Sequence, residues 1–417
     1  HAAVVARGMG KCCVSAANNT VINYKERTMT VNGTVIKEGD WISLNGTTGN
    51  VYQGKIATQD AELGSDFLEL MEIANKYTRM NVRTNADTPK EAKIARNFGA
   101  TGIGLTRTEH MFFEGDKIVA MREMILAKDE EGRRAALNKL LPVQKEDFKG
   151  IFKAMEGYPV TVRLLDPPLH EFVPHDEKGQ EEMAKAMNIS FQEIKERVEG
   201  LLESNPMLGL RGCRLGNLYP EITEMQSRAI IEAALELKKE GINAMPEIMV
   251  PLTGIVYEFI AQKKVIVETA EQVFQEFGDT ITYKVGTMIE IPRATLTAHR
   301  IAEEADFFSF GTNDLTQLTF GYSRDDVAKF LPLYIDKGII KHDPFAVLDQ
   351  NGVGQLVTMG VQKGRSVKPE LKCGICGEHG GEPSSVKFCH HVGLNYVSCS
   401  PFRVPIARLA AAQAAIE

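Results

Sequence analysis

Short apolar runs and longer amphipathic segments alternate along the chain from about residue 80 onward. The apolar runs lie at residues 80–83, 101–105, 160–164, 207–210, 245–250, 284–289, 307–310 and 372–375. Helical periodicity fills several of the intervals between them, as at 221–240 and 257–277. Eight strand-then-helix units predict an α/β fold in which parallel strands close into a TIM-like (β/α)8 barrel. Two intervals, 114–153 and 170–202, are long enough to hold insertions.

The first part of the chain has a different pattern, with shorter runs and closely spaced turns. A helix-like segment at 2–7 is followed by β-type runs at 11–15, 28–31, 35–36, 40–44 and 50–52. The dipeptides Asn32-Gly33 and Asn45-Gly46 are typical turn signals between strands. These features predict a small β-rich domain at 1–57 that lacks its front half. Periodic apolar positions at 61–78 predict a helical linker, 58–79, before a barrel at 80–417.

Composition and charge narrow the class of protein without deciding the function. A length of 417 residues exceeds one compact core, so two or three domains are expected. The net charge of −7 disfavours nucleic-acid binding, and no apolar run has the length of a membrane span. The seven cysteines are odd in number and include the adjacent Cys12 and Cys13, which is not typical of a disulfide framework. Together with a start that does not resemble a secretory leader, this favours a cytoplasmic protein.

Polar side chains follow the predicted strands. Active-site residues of a β/α barrel lie just beyond the carboxyl ends of its strands. Those positions hold Arg107, Arg163, Arg211, Glu290, Asn313, Asp314 and Cys376. If the runs were only core strands, turn residues such as Gly, Ser or Asn would be more usual there. The sequence therefore predicts a polar site at one end of the barrel.

Two of these residues are carboxylates, Glu290 and Asp314, and each follows an apolar run. They could be ion-pair partners of Arg293 or Arg324, but an unpaired carboxylate is costly beside a buried strand. Mg²⁺ takes one or two carboxylates and keeps positions for water and substrate oxygens. We therefore predict a divalent-cation site at Glu290 and Asp314.

The pair Cys373 and Cys376 permits more than one interpretation. With Cys389, His390 or His391 it faintly resembles a zinc site, although a second closely spaced Cys/His pair of the usual type is missing. A redox pair is the other alternative, but no thioredoxin-like context surrounds it. Cys376 alone, at a strand end, is a candidate for acid–base chemistry.

Six motifs resemble those of the phosphoenolpyruvate-utilising enzymes, in the order found in that family. They are residues 1–13 (HAAVVARGMGKCC), 104–111 (GLTRTEHM), 209–214 (GLRGCR), 286–293 (GTMIEIPR), 309–324 (SFGTNDLTQLTFGYSR) and 373–378 (CGICGE). The resemblance covers nearly the whole chain and corresponds to the C-terminal part of these enzymes. It implies that the chain is a piece of a longer protein, whose nucleotide-binding domain lies upstream.

The resemblance also implies roles for individual residues. His1 would be the phosphohistidine carrier on a swivelling domain, where the positive end of the following helix suits a phosphoryl group. Mg²⁺ would bind to Glu290 and Asp314, and Cys376 would transfer the proton at C3 of pyruvate. The remaining substrate-binding residues would be Arg107, Arg163, Arg211, Gly311, Thr312 and Asn313. Singly, the arginines could be surface side chains with snorkelling stems, but three at predicted strand ends indicate a clamp for phosphoryl oxygens.

The activity implied is phosphoryl transfer between pyruvate and phosphoenolpyruvate through phosphohistidine. The flanking residues favour members of the family that convert ATP, phosphate and pyruvate into AMP, diphosphate and phosphoenolpyruvate, with the nucleotide steps in the upstream domain. The alternatives are phosphoenolpyruvate synthesis without phosphate as a substrate, or a relay that passes the phosphoryl group to a partner protein. By resemblance a homodimer is expected, with no nucleic-acid or membrane partner.

Overall fold

The computed structural model describes residues 12–15, 17, 19–46, 48–58, 64–112 and 117–417. The chain divides into two compact units, His1–Glu72 and Ile73–Glu417, which are described separately. The helix predicted at 2–7 and the candidate carrier His1 lie outside the described residues.

Five short strands form the described β-structure of the first unit. They are β1 (Thr20–Asn23), β2 (Thr28–Val31), β3 (Thr34–Lys37), β4 (Ile42–Asn45) and β5 (Asn50–Gln53). β1, β2 and β3 form an antiparallel sheet in that order, and β4 pairs with β5. Asn32 and Gly33 join β2 to β3 with φ angles of 48° and 83°, as a two-residue hairpin turn requires. The predicted β-rich unit is confirmed, although residues 12–15 form no strand and β1 has no predicted counterpart.

The second unit contains a closed barrel of eight parallel strands, which confirms the predicted fold class. Its strands are β6 (Asn81–Asn85), β7 (Ile103–Arg107), β8 (Pro159–Arg163), β9 (Met245–Val250), β10 (Lys284–Ile289), β11 (Phe307–Phe310), β12 (Lys372–Ile375) and β13 (Tyr396–Cys399). They follow one another around the barrel in chain order, and β13 closes it by pairing with β6.

One of the eight predicted strands is wrong. Residues 207–210 lie outside the barrel, where Pro206–Leu208 makes a single 3₁₀ turn and Leu208 is 57% exposed. The eighth strand is β13, which is buried along its whole length. A four-residue apolar run does not by itself distinguish a strand from a turn, because the packing that decides between them lies elsewhere in the chain.

Helices follow most of the strands. The α-helices are α1 (Ser65–Tyr77), α2 (Pro89–Asn97), α3 (Lys117–Ile125), α4 (Glu130–Ala154), α5 (Glu177–Met187), α6 (Phe191–Gly200), α7 (Gly212–Leu218), α8 (Pro220–Lys239), α9 (Val256–Phe277), α10 (Pro292–Leu296), α11 (Ala298–Ala302), α12 (Thr312–Phe320), α13 (Leu331–Asp336), α14 (Val353–Val367), α15 (Pro383–Val392) and α16 (Val404–Ile416). The predicted insertions contain α3 with α4 and α5 with α6.

Local signals set helix ends, as where Thr88 and Glu91 form a capping box at the start of α2. No helix among the described residues is long and apolar enough to cross a membrane.

Side chains alternate between the two faces of each barrel strand. Outward-facing ones pack with the helices in one large cluster that includes Ile248 and Phe308. Leu105, Met249, Met288, Phe307 and Cys376 form a small separate cluster inside the barrel.

Charged residues fill the barrel toward the amino ends of its strands. Arg83 donates to Glu247 Oε2 at 2.9 Å, and Lys372 pairs with the other oxygen of the same carboxylate. Burial alone would raise the pKa of Glu247, but Arg83 and Lys372 lower it to about 2. Because this end of a β/α barrel is normally structural, we assign the cluster to stability.

Candidate functional site

Five strand ends bring polar side chains together at the carboxyl-terminal mouth of the barrel. Arg107 and Arg163 are the last residues of β7 and β8, and Glu290 and Cys376 directly follow β10 and β12. Residues 311–314 follow β11. Because the strands are parallel, these ends all open on the same side.

Arg211 lies at this mouth as predicted, but it does not follow a barrel strand. It precedes α7 in the connection that leaves β8, and it does not end a strand. Its Nη2 donates to Asp166 Oδ2 at 2.6 Å and its Nη1 to Asp314 Oδ1 at 3.2 Å. Asp166 Oδ2 also accepts from Arg163 Nη1 at 2.9 Å. A chain of alternating charges therefore joins Arg163, Asp166, Arg211 and Asp314, which we call the ion-pair chain.

The first three members of the ion-pair chain are buried. Their exposed fractions are 8% for Arg163, 3% for Asp166 and 2% for Arg211. Burial would lower the pKa of either guanidinium, but the neighbouring carboxylates outweigh it and raise the pKa of both. Burial acts to raise the pKa of Asp166, but the two guanidinium groups bring it below its usual value. All three groups therefore remain charged at neutral pH in a site screened from water.

A second carboxylate holds Arg163 from another side. Glu109, in the 3₁₀ turn that follows β7, is 4% exposed and accepts a hydrogen bond from Arg163 Nη2. Glu109 Oε2 has no partner among the described residues. Arg163 is thus fixed between Glu109 and Asp166, so its orientation does not depend on a bound ligand.

The backbone around Glu290 is shaped to fit its carboxylate. Glu290 is 1% exposed, and its Oε1 accepts from the N–H of Leu252 at 2.6 Å. Leu252 has a φ of 59°, a left-handed conformation that is costly for a side chain of this kind. A Cβ on Gly311 would lie 2.5 Å from Glu290 Oε2, so any larger residue at that position would displace the carboxylate.

The charges around Glu290 fit a divalent cation. Burial, followed by repulsion from Asp314 and Asp166, raises the pKa of Glu290 well above 4.5. Asp166 Oδ1 is buried and has no hydrogen-bond partner among the described residues. Carboxylate oxygens are the donors that Mg²⁺ prefers. Across the described ranges no group of three or more His, Cys, Asp or Glu side chains is placed to hold a metal ion by itself.

Cys376 lies at the apolar floor of the mouth. It is 2% exposed, and its Sγ lies 3.7 Å from the carbonyl oxygen of Phe310. Burial raises the pKa of the thiol to about 11, with Glu290 adding to the shift and Ser309, Arg163 and Arg107 opposing it. The thiol is therefore protonated at neutral pH and can act as a proton donor toward the mouth.

The zinc and redox interpretations of the cysteine pair find no support in the geometry. Cys373 packs with Cys389 in the outer cluster, whereas Cys376 lies in the inner one. Both thiols are free. Positions three apart on an extended segment face opposite sides of the sheet, so the two sulfur atoms do not converge.

Arg107 occupies the more exposed edge of the mouth, with 24% of its side chain accessible. Its backbone N–H donates to Asp87 Oδ1 at 2.7 Å, and its Nη1 lies 3.7 Å from Asp87 Oδ2. His110 Nδ1 contacts the same Oδ2 at 2.7 Å. Burial would raise the pKa of Asp87, but His110 and Arg107 together lower it. Asp87 therefore anchors the backbone at Arg107, and the guanidinium is left loosely held.

Residues 311–314 start α12 at the mouth. The hydroxyl of Thr312 lies 2.7 Å from His379 Nδ1 and so faces the protein. Asn313 Oδ1 accepts weakly from the backbone N–H of Glu378 at 3.4 Å. Among the described residues the side-chain nitrogen of Asn313 has no hydrogen-bond partner, so it is a candidate to meet a ligand.

The sequence does not predict the carboxylates that hold the arginines, Asp87, Glu109 and Asp166. Glu109 follows Arg107 by two residues and Asp166 follows Arg163 by three. Short spacing could have indicated only the pair Asp166 and Arg163, because Asp87 is 20 residues from Arg107 and Glu109 is 54 residues from Arg163.

Two family models match the chain. The description "PEP-utilising enzyme, PEP-binding domain" covers residues 61–416, and "PEP-utilising enzyme, mobile domain" covers residues 1–49.

Three curated relatives illustrate the similarity. Pyruvate, phosphate dikinase of Clostridium symbiosum is 61% identical over 417 residues, which are 100% of this chain and 48% of that protein. Pyruvate, phosphate dikinase 1, chloroplastic, of Arabidopsis thaliana is 57% identical over 100% of this chain and 43% of its own length. Pyruvate, phosphate dikinase of Giardia intestinalis is 57% identical over 100% of this chain and 47% of its own length. The chain thus spans somewhat less than half the length of each.

Proposed function

The chain belongs to the family of PEP-utilising enzymes, and from that premise we propose that it interconverts pyruvate and phosphoenolpyruvate through a phosphohistidine. The observation that carries the proposal is the ion-pair chain at the barrel mouth, where buried guanidinium groups stand beside Glu290 and the Cys376 thiol. Such a site suits a small, strongly anionic substrate.

Substrate binding is assigned to the arginines and to the start of α12. Arg107, Arg163 and Arg211 hold carboxylate and phosphoryl oxygens, because a planar guanidinium matches these groups with two parallel hydrogen bonds. Asn313 donates from its amide nitrogen, and Gly311 and Thr312 let the backbone approach the substrate. Asp166 fixes Arg163 and Arg211 before the substrate binds, so the two side chains lose little conformational freedom on binding.

Glu290 and Asp314 are assigned as the residues that hold Mg²⁺. When bound, the ion supplies Lewis-acid stabilisation of the negative charge that develops on the keto oxygen of pyruvate. The raised pKa of Glu290 supports this assignment, since a cation would relieve the repulsion from Asp314 and Asp166.

Proton transfer at C3 is assigned to Cys376. Toward phosphoenolpyruvate, the Cys376 thiol must first lose its own proton to solvent, and the thiolate then takes a methyl proton of pyruvate; the enolate oxygen attacks the phosphorus on His1 while the P–N bond breaks. Toward pyruvate, the thiol returns the proton to C3. A thiol whose pKa is about 11 is suited to this donor step.

The domain assignment follows the same proposal. Residues 1–57 are the carrier domain, 58–79 the linker and 80–417 the barrel, and His1 moves between separate sites. The names of the relatives support the dikinase reaction, ATP + phosphate + pyruvate = AMP + diphosphate + phosphoenolpyruvate, over the alternatives of phosphoenolpyruvate synthase or a protein-directed relay. As the resemblance implies, we assign its nucleotide steps to a domain other than the two that match this chain. A cytoplasmic location and a homodimer complete the proposal, the former supported by seven free cysteines.

Exchange of the methyl hydrogens of pyruvate tests the barrel chemistry. When the 417-residue chain is incubated with pyruvate in deuterated water, the methyl group of pyruvate should incorporate deuterium only if Mg²⁺ is present. Cys376→Ala should abolish this exchange while Mg²⁺-dependent oxalate binding persists. Cys373→Ala is the matched control, since it removes a buried thiol from the outer cluster and should act through packing alone. Full exchange in Cys376→Ala, or none in the folded wild-type chain, would refute the assignment.

A further inference from the structure

His379 is a fully buried histidine without a part in the mechanism proposed above. It lies in the 3₁₀ turn Glu378–Gly381, three residues after Cys376, and its side chain is inaccessible to water. Its Nδ1 lies 2.7 Å from Thr312 Oγ1, and its Nε2 lies 2.8 Å from the carbonyl oxygen of Pro344. Both ring nitrogens therefore have a partner.

The partners of His379 determine its tautomer. A carbonyl oxygen can only accept, so Nε2 carries the hydrogen that is donated to Pro344. Burial lowers the pKa of His379, which keeps the ring neutral and leaves a lone pair on Nδ1. The hydroxyl of Thr312 is therefore the donor in the second hydrogen bond, and it is not available to a substrate.

The hydrogen bond from Thr312 to His379 joins two loops at the barrel mouth. Thr312 is the first residue of α12 and directly precedes Asn313 and Asp314. The loops touch at three further points. The N–H of Cys376 donates to Phe310 O at 3.2 Å, the N–H of Glu378 donates to Asn313 Oδ1 at 3.4 Å, and a Cβ on Gly377 would lie 2.2 Å from Thr312 Oγ1. The distance between the Asp314 carboxylate and the Cys376 thiol thus depends on this junction.

We propose that His379 is a positioning residue, which holds the start of α12 in register with the loop that carries Cys376. By accepting from Thr312 it places the amide of Asn313 and the carboxylate of Asp314 opposite the thiol. The catalytic consequence rests on the proposed function, whereas the hydrogen bond itself does not. A buried imidazole needs partners at both nitrogens in any role; what bears on positioning is that the partner of Nδ1 is the first residue of the helix that carries Asn313 and Asp314.

Four variants separate positioning from packing. His379→Leu keeps bulk but removes both hydrogen bonds, and His379→Gln can restore an acceptor and a donor. Thr312→Val removes only the hydroxyl, and Thr312→Ser is its matched control. We expect the Leu and Val variants to lower the kcat of Mg²⁺-dependent methyl exchange by about 10- to 100-fold, the usual effect of losing a supporting hydrogen bond behind a catalytic or metal-binding group. The Ser variant, which keeps the hydroxyl, should lose less activity than the Val variant, and the Gln variant should recover part of the loss seen with Leu.

A double-mutant comparison identifies the coupling. If Thr312 acts through His379, the variant with both His379→Leu and Thr312→Val should be no slower than His379→Leu alone. Fully additive losses, or unchanged kcat in a folded Thr312→Val variant, would overturn the proposal. Should His379→Leu fail to fold, the Thr312 pair still decides the question.

Nitrogen NMR of the histidine side chain keeps this proposal separate from the proposed function. The signal of His379 is assigned as the one that is lost in His379→Gln. We expect it to show a neutral ring with its proton on Nε2. A proton on Nδ1 would overturn the proposed hydrogen bond even if the enzyme is active. Absence of methyl exchange in the wild-type chain, with the expected tautomer present, would contradict the proposed function and leave the junction between the two loops intact.

Discussion

Asp166 is the residue through which the site can be perturbed most informatively. Its Oδ2 accepts from Arg211 at 2.6 Å and from Arg163 at 2.9 Å, and all three side chains are buried. Asp166→Asn keeps the size and shape of the side chain while removing the charge that the two guanidinium groups share. We expect it to lower the free energy of unfolding of the barrel. We also expect weaker Mg²⁺-dependent binding of oxalate, because the two guanidinium groups lose the carboxylate that orients them.

The expected loss of stability follows from the partners that remain. Removing one member of a buried ion pair costs about 3–5 kcal/mol, because the other charge is left uncompensated. After the change Arg163 still has Glu109, and Arg211 still has Asp314 at 3.2 Å. We therefore expect the lower limit, about 3 kcal/mol in the free energy of unfolding, and a fall in affinity for oxalate with Mg²⁺ of about 10-fold or more.

Urea unfolding followed by the helical circular-dichroism signal measures the barrel, and calorimetry measures oxalate binding. Trp41, the one tryptophan of the sequence, lies in the first unit and provides an internal control by fluorescence. Glu247→Gln is the matched control, because it removes a similarly buried charge near the amino ends of the strands. It should lower stability to a comparable extent and leave oxalate binding unchanged. A loss below about 1 kcal/mol with normal binding in Asp166→Asn, or weakened binding in Glu247→Gln, would refute the reasoning.

Four further predictions concern the metal ligands, the pH dependence of metal binding, acid stability and the carrier histidine. Glu290→Gln or Asp314→Asn should weaken Mg²⁺-dependent oxalate binding in calorimetry without unfolding the barrel, and unchanged affinity in either would exclude the pair. In the wild type, Mg²⁺ affinity should rise as pH increases through the raised pKa of Glu290, because the carboxyl must lose its proton to bind the ion. Without metal, the free energy of unfolding should fall over the same interval above pH 4.5, because the deprotonated carboxylate is then buried. An Mg²⁺ affinity independent of pH would contradict this. Glu247 contributes stability that is present above pH 4.5 and is lost as pH falls toward about 2, so acid unfolding by circular dichroism should show a smaller change over that range in Glu247→Gln. By resemblance the nucleotide steps belong to a separate domain, so we expect that ATP does not phosphorylate His1 of the 417-residue chain in mass spectrometry; a phosphorylated product would overturn the division of roles.

The barrel could be predicted from the sequence where its strands are mostly apolar. The runs at 245–250, 284–289, 307–310 and 372–375 coincide with β9 to β12 residue for residue. Strands of a parallel sheet are covered on both faces, so they form continuous apolar runs with clear ends. The runs at 207–210 and 396–399 are both short, and the sequence alone does not indicate which of them finds neighbours in the barrel. Pairing with β6 and β12 selects the second.

The site was predictable only where it follows from strand ends. That rule places Arg107, Arg163, Glu290 and Cys376 at the mouth, and it includes Arg211 although that residue follows a turn. The ion pairs themselves could not be predicted, because a carboxylate's partner is determined by tertiary approach. The left-handed conformation of Leu252 could not be predicted either, because leucine gives no local signal for a positive φ.

The position of β13 in the chain affects how the protein is made. Thr84 and Cys399, which meet where β6 and β13 pair, are 315 residues apart in sequence. During synthesis every residue assigned to the mouth leaves the ribosome before this strand does. Until then the nascent sheet has two open edges, which are templates for aggregation. A ribosome that stalls shortly before residue 396 would therefore release a chain that carries all the catalytic side chains in a barrel that cannot close, and such a chain would depend on chaperones to remain unaggregated.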